Sequence, residues 1–253
     1  FKETEVKATQ GNVKSQFNLG VMYWKGQDVA QSYIQAFEWF TKAAVQGDID
    51  AQFNLGVMYS KGLGVTQNDA KAFEWYSKAA SQGHVYAQNV VGTKYVKGLG
   101  VTQSNIQAFE WFSKAAAQGN EDAQNNLGTM YSDAQGITKD KVKAFEWYGK
   151  AAAQGHVDAQ YNLGVMYERG EGVAQSYAKA VEWYSKAATQ GDSYAQNNLG
   201  VMYSKGLGVT QNDAKAFEWY SKAASHGHVY AQNTIGGKYQ KGLGVTQSNI
   251  KAF

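Results

Sequence analysis

The chain has 253 residues, 28 of them Gly, with no Pro and no Cys; without cysteine there is no disulfide, no thiolate zinc cage and no cysteine nucleophile, and without proline no polyproline linker. Charged residues make up 18% and the formal net charge is +3, short of the clustered basic excess that nucleic-acid binding demands. No stretch approaches the roughly 18 apolar residues of a membrane span.

A step of 36 residues runs through the chain. Trp39, Trp75, Trp111, Trp147, Trp183 and Trp219 keep it, as do the columns Gly20 to Gly236 and Tyr23 to Tyr239. A fixed period of this size marks a repeat architecture. Each unit reads as two helices, A and B.

In chain order, residues 1–11 are the tail of a helix B, with Phe1 in phase with Phe37. The first full unit is 12–47. In the second, 48–83, Ala51, Leu55, Met58 and Tyr59 share one side of a helix A predicted over 48–61. Ala72, Phe73, Trp75, Tyr76, Ala79 and Ala80 form a broad apolar stripe on a helix B over 68–82, which calls for burial against more than one neighbour. Units 84–119, 120–155, 156–191 and 192–227 repeat the pattern, and a partial unit, 228–253, ends on Phe253, in phase with Phe217. Terminal repeats normally carry a polar cap, so these ends predict an interior segment of a longer array and leave end-to-end association open.

The boundaries carry their own chemistry. Ser32, Asn68, Ser104, Asp140, Ser176, Asn212 and Ser248 open helix B with side chains that accept from first-turn amides. Asn12, Asp48, His84, Asn120, His156, Asp192 and His228 open helix A, each after a Gly suited to a left-handed helix end. The link KGLGV (Lys61 to Val65, repeated from Lys97 and Lys205) closes helix A in the same way.

These residues resemble the Sel1-like repeat family, a relative of the tetratricopeptide repeats. The second unit matches the family pattern through Ala51, Leu55, Gly56, Tyr59, Gly62, Gly64, Val65, Lys71, Ala72, Trp75, Lys78, Ala79, Ala80 and Gly83. Departures are Ala134 for the first link Gly in the fourth unit, Asp28 for the second in the first unit, and the absent Pro before helix B. Pattern and resemblance together predict an all-α, right-handed α-α superhelical solenoid of about seven 36-residue helix-turn-helix repeats over 1–253. Residues 54–109 and 198–253 differ at only six of 56 positions, which points to duplication of a four-repeat block. Such growth lengthens a binding surface and adds little to a single reaction centre.

No reaction centre assembles from the sequence. Of the four His, three (His84, His156 and His228) recur at the helix A entry, and His226 lacks a third ligand nearby, so neither a metal nor a cofactor is implied. Ser-x-x-Lys occurs at Ser176/Lys179 and Ser248/Lys251, but both hydroxyls stand at caps and no Lys-Thr-Gly follows, which argues against a β-lactam-binding hydrolase. The six Glu that precede a Lys by four residues, Glu38 to Glu218, suit ordinary surface pairs. The row Lys25, Lys61, Lys97, Arg169, Lys205 and Lys241 suits helix C-termini.

A partner would bind helix A on the face opposite Ala51, Leu55 and Tyr59. There the first two units present Phe17, Val21, Trp24, Phe53 and Val57, the fifth Tyr161 and Val165, and the others Asn89, Asn125, Asn197 and Asn233. Aromatic anchors beside amides suit a peptide or protein edge. Phe53 and its equivalents could equally wedge between neighbouring repeats, whereas Trp24 breaks a column otherwise made of Ser60, Val96, Ser132, Glu168, Ser204 and Gln240. The expectation is a non-catalytic protein-interaction scaffold with no nucleic-acid partner. The resemblance implies a bacterial adaptor or host-interaction protein, often exported to the periplasm or beyond; a second implied role is an immunity protein neutralising a secreted lipase-type toxin.

Overall fold

The computed structural model describes residues 1–248 and 250–251. Fourteen α-helices and no strand occur among the described residues. α1 (Lys2–Thr9) precedes pairs of A and B helices: α2 (Val13–Lys25) and α3 (Tyr33–Val45), α4 (Ile49–Lys61) and α5 (Asp69–Ser81), α6 (Val85–Lys97) and α7 (Asn105–Ala117), α8 (Glu121–Asp133) and α9 (Lys141–Ala153). Then come α10 (Val157–Arg169) and α11 (Tyr177–Thr189), α12 (Ser193–Lys205) and α13 (Asp213–Ser225), and α14 (Val229–Lys241). The chain is an all-α repeat solenoid. It comprises two compact units, Phe1–Ala123 and Gln124–Phe253, the division falling inside α8. Of the helix B expected at the C-terminal end, Phe253 lies outside the described residues, while Ser248 Oγ accepts from the Lys251 N–H at 3.4 Å.

The helix starts follow from their caps. All seven residues expected to open helix A accept a hydrogen bond from the backbone N–H three positions on, at 2.6 to 3.3 Å. Ser32, Asn68, Ser104, Asp140, Ser176 and Asn212 do the same for helix B. Helix ends rely on left-handed backbone, as at Gly62 (φ 69°) and Gly83 (φ 96°). Ala134 (φ 58°) and Asp28 (φ 61°) hold that conformation without being glycine. A side chain there is disfavoured sterically, so the repeat frame imposes the turn on residues that would not choose it.

Packing within each pair rests on a contact that the sequence only half reveals. The aromatic residue after the repeat Trp, namely Phe40, Tyr76, Phe112, Tyr148, Tyr184 or Tyr220, is buried and lies on the helix A glycine of its own repeat. A Cβ on Gly20, Gly56, Gly92, Gly128, Gly164 or Gly200 would come within 2.5 to 2.7 Å of that ring. Glycine is needed there because two helices approach through a flat ring. The Trp column is less buried than the predicted stripe requires: Trp39 is buried, while Trp75, Trp111, Trp147, Trp183 and Trp219 are half-buried. The Lys three residues on covers each ring, its Nζ 3.8 to 4.3 Å from the centroid. Among the expected Glu/Lys pairs, Glu74–Lys78 and Glu218–Lys222 close at 2.7 Å. The lysine's recurrent partner is therefore the indole face, an attraction worth about 0.5–1 kcal/mol where exposed.

Successive repeats are joined by buried glutamines. Gln52 donates to the Ala44 carbonyl at the end of the preceding helix B and accepts from Gln82 Nε2 at 2.7 Å. The same clamp recurs at Gln16/Gln46, Gln88/Gln118 and Gln160/Gln190, and His226 takes the second place opposite Gln196 at 2.9 Å. The amide thus adds a second donor to a helix-end carbonyl that already accepts from the glycine N–H three residues on, as Ala44 does from Gly47 at 3.0 Å.

Candidate functional site

In the first unit, α2 carries Phe17, Val21 and Trp24 at i, i+4 and i+7, on one face. With Lys25, Phe40 from α3 and Asn54 from α4 they line an open cavity of about 350 Å³. Phe40 forms an aromatic wall, its ring centroid 5.7 Å from Phe17 and 6.1 Å from Trp24. Trp24 is held edge-on by Tyr33 at 5.5 Å, and its carbonyl accepts from Gln31 Nε2 at 2.8 Å. The rim is cationic: Lys25 lines the cavity and Lys14 Nζ lies 5.3 Å from the Phe17 ring, while α2 contains no acidic residue. The cavity can take one bulky apolar side chain and favours a carboxylate beside it.

The structure brings together Phe17, Val21 and Trp24 from the sequence candidates and places the others elsewhere. Phe53 stacks on His84 of the next repeat, centroids 4.5 Å apart and planes 17° from parallel, and tilts against Tyr76 at 5.5 Å. Val57 packs on the same core cluster of Tyr76, Ala79 and Val91. Tyr161, in the fifth repeat, lies against Tyr184 and Tyr194. Asn125 is half-buried, with its side-chain Oδ1 unpaired. Phe40 is the lining residue that the helix A face could not supply, since it comes from helix B; the unbroken aromatic column after the Trp was the available signal.

Trp24 also acquires a physical explanation. Its column follows the ring beneath it. Where that ring is a tyrosine, the column is polar: Tyr184 Oη donates to Glu168 at 2.5 Å, and Ser60, Ser132 and Ser204 stand in the repeats of Tyr76, Tyr148 and Tyr220. Where it is phenylalanine, the column turns apolar, with Trp24 over Phe40 and Val96 in the repeat of Phe112. The ring therefore demands an apolar neighbour at position 24 but not one the size of indole.

The three helix-entry histidines are caps: His84, His156 and His228 accept at Nδ1 from the N–H of Ala87, Ala159 and Ala231. Burial holds the His84 pKa below the usual imidazole value, against the opposing pull of Asp50 3.6 Å away. Ser176 Oγ accepts from the Lys179 N–H, occupying the hydroxyl of the Ser-x-x-Lys pair. No group of three or more His, Asp or Glu side chains gathers as metal ligands, and no helix is long and apolar enough to cross a membrane, among the described residues.

Comparison with known proteins places this geometry. The Sel1 repeat model matches residues 13–48, 49–84, 85–120, 121–156, 157–192, 193–228 and 229–253. The fold is similar to that of c5321, described as a protective antigen present in uropathogenic Escherichia coli strains and displaying an SLR fold, with TM-score 0.95 and 39% identity over 99% of this chain and 54% of that one. This chain thus spans about half the length of c5321. It is also similar to a Sel1 repeat protein from Oxalobacter formigenes, with TM-score 0.83 and 32% identity over 94% of this chain and 93% of that one. The likeness to immunity protein Pa5087 from Pseudomonas aeruginosa, TM-score 0.49 and 24% identity over 84% of this chain and 81% of that one, is too low to bear on function. None of the curated proteins compared with the chain matches it. Seven consecutive repeat matches, carried by helix pairs with the same caps and links, show that the chain belongs to the Sel1 repeat family.

Proposed function

We propose that the chain is a non-catalytic scaffold that grips a protein or peptide partner through helix A, with the first-unit cavity as its anchor. Sel1 repeat proteins are generally protein-interaction scaffolds. The observation that carries the proposal is the cavity: an apolar slot of about 350 Å³ lined by Phe17, Val21, Trp24 and Phe40, with Lys25 on its edge. The partner segment inserts an aromatic or large aliphatic side chain next to an Asp or Glu. Trp is prominent among residues that dominate binding energy, and here it is larger than the packing beneath it requires. The absence of catalysis is supported by the cap role of Ser176 and of the helix-entry histidines.

The test is affinity capture from a bacterial lysate with wild-type and Trp24→Val protein, followed by mass spectrometry. A partner held by wild type and lost by Trp24→Val supports the proposal. Equal capture by both variants contradicts it. A single toxin-like partner would make the scaffold an immunity protein, and turnover of a chromogenic β-lactam abolished by Ser176→Ala would make it an enzyme.

A further inference from the structure

The helix B ring that lies on the helix A glycine ends in a hydroxyl in several repeats, and there helix A meets it with polar side chains. Tyr148 Oη lies 3.1 Å from Thr129 Oγ1, and Tyr184 Oη donates to Glu168. In the first repeat the place of Thr129 is held by Val21, that of Glu168 by Trp24, and that of both tyrosines by Phe40. The hydroxyl and its two partners are therefore missing together. The cavity of about 350 Å³ lies among these same three residues, with Phe17 beside them.

One residue of the lining does not share this apolar character. Asn54, from α4 of the following repeat, is half-buried on the cavity wall, and no hydrogen bond engages its side chain among the described residues. Packing does not ask for an amide there, because Val90 and Thr234 fill the column in other repeats. In the open cavity the amide is hydrated. A side chain that fills the cavity takes that hydration away and has to return a hydrogen bond, since a buried polar group left unpaired is costly. Phenylalanine and leucine return none. A carboxylate would lose its own hydration among Phe17, Val21 and Phe40, and a cation is repelled by Lys25 on the cavity edge and Lys14 near the Phe17 ring. A phenol meets both demands: its ring packs favourably with other aromatic rings, and its O–H donates and accepts, so it matches either end of the amide.

We propose that the cavity takes the tyrosine side chain of a partner segment, its ring beside Phe17, Phe40 and Trp24 and its hydroxyl hydrogen-bonded to the Asn54 side chain. The partner thus returns the hydroxyl that Phe40 lacks. This assignment rests on the scaffold reading above and narrows its anchor from a bulky apolar side chain to a phenol.

The probes are fluorescein-labelled Gly-Asp-Tyr-Asp-Gly and Gly-Asp-Phe-Asp-Gly peptides, with Gly-Asp-Ala-Asp-Gly as the blank, titrated with the intact chain at low ionic strength and followed by fluorescence polarisation. The tyrosine peptide should bind saturably and at least about threefold more tightly than the phenylalanine peptide, the scale of one net hydrogen bond, and the alanine peptide should not saturate. Asn54→Val, which carries the side chain of Val90 in the same column, should bind the two peptides alike while circular dichroism stays unchanged. Trp24→Val should weaken both. Equal affinity of wild type for the tyrosine and phenylalanine peptides, with both lowered by Trp24→Val, would overturn the tyrosine assignment and leave the scaffold reading standing, and this comparison needs no variant at Asn54. A tyrosine preference that survives in Asn54→Val would overturn the assignment in the same way. Saturable binding of neither peptide, or binding indifferent to Trp24→Val, would overturn the assignment and the cavity anchor together.

Discussion

The ring of Tyr76 lies so close to Gly56 that a Cβ on the glycine would come within 2.6 Å of it. The relationship spans 20 residues and joins helix A to helix B within one repeat, which explains a Gly column that helical propensity alone would disfavour. Gly56→Ala should therefore destabilise the protein by about 1–3 kcal/mol, the scale of an overpacked core. Chemical denaturation of Gly56→Ala alone and with Tyr76→Ala checks the cause: the glycine penalty should shrink once the ring is gone. Equal penalties in the two backgrounds would mean that the ring is not the obstacle.

The glutamine clamp makes a second prediction. Gln88 donates to the Ala80 carbonyl at 3.2 Å and accepts from Gln118 at 2.8 Å. Gln88→Leu keeps the volume but removes both bonds from a buried site, leaving the Ala80 carbonyl with the Gly83 N–H at 3.0 Å and Gln118 Nε2 with the Gly83 carbonyl at 3.3 Å, at a cost of about 0.5–1.5 kcal/mol per bond lost. Gln118→Ala removes a partly exposed partner and should cost less. The ordering, read from urea midpoints, is what counts, and reversal would contradict the clamp.

Lys94 and Lys238 are 5% and 6% exposed at positions where other helices A carry Met58, Met130, Met166 and Met202. Each pairs with an aspartate 25 residues earlier, Asp69 or Asp213, at 2.9 Å. One repeat before Lys94 and Asp69 the corresponding residues are Met58 and Tyr33. Removing one partner of such a pair strands the other, so Asp69→Ala should destabilise more than Lys94→Met does. The double change Lys94→Met with Asp69→Tyr, which restores the Met58/Tyr33 chemistry, should recover most of the loss. Thermal melts of the three variants provide the comparison.

Alkaline pH should expose the buried tyrosines. Burial pushes the Tyr76 phenol up to about 12 and raises Tyr148, Tyr184 and Tyr220 as well, against about 10 in the unfolded chain. The folded state keeps these protons longer, so their contribution is full below the unfolded value and is lost as pH rises through the folded ones. Denaturation midpoints should fall above about pH 10, and Tyr76→Phe should flatten part of that fall. A midpoint that stays constant while tyrosinate absorbance grows would show the phenols to be accessible.

What the sequence made legible was local. A cap needs a side chain and an amide three residues on, and a left-handed turn needs one glycine, so the boundaries at Asp48, Asn68, Gly62 and Gly83 could be read directly. The contacts that join helices were not legible, because Gln52 with Gln82, Lys94 with Asp69 and Tyr76 with Gly56 are paired by the fold rather than by spacing on one helix. The candidate site shows the same divide: Phe17, Val21 and Trp24 share a helical face and were found together, while Phe40 belongs to another helix. Phe53, one repeat from Trp24 and similar in chemistry, stacks on His84 at the next joint, where the His at the following helix entry receives it.

The most direct test of the scaffold proposal is the affinity of the captured partner for wild type and for Trp24→Val, measured by surface plasmon resonance beside the melting temperature of each. Valine is the residue that the third repeat places in this column, in the repeat where Phe112 takes the place of Phe40, so the packing chemistry is kept while the indole is lost. Binding should weaken by at least about 2 kcal/mol, the scale of a dominant interface residue, with a smaller change in stability than Phe40→Ala produces. Unaltered affinity for Trp24→Val, or a loss of stability as large as that of Phe40→Ala, would contradict the proposal, because Trp24 would then be packing rather than recognition.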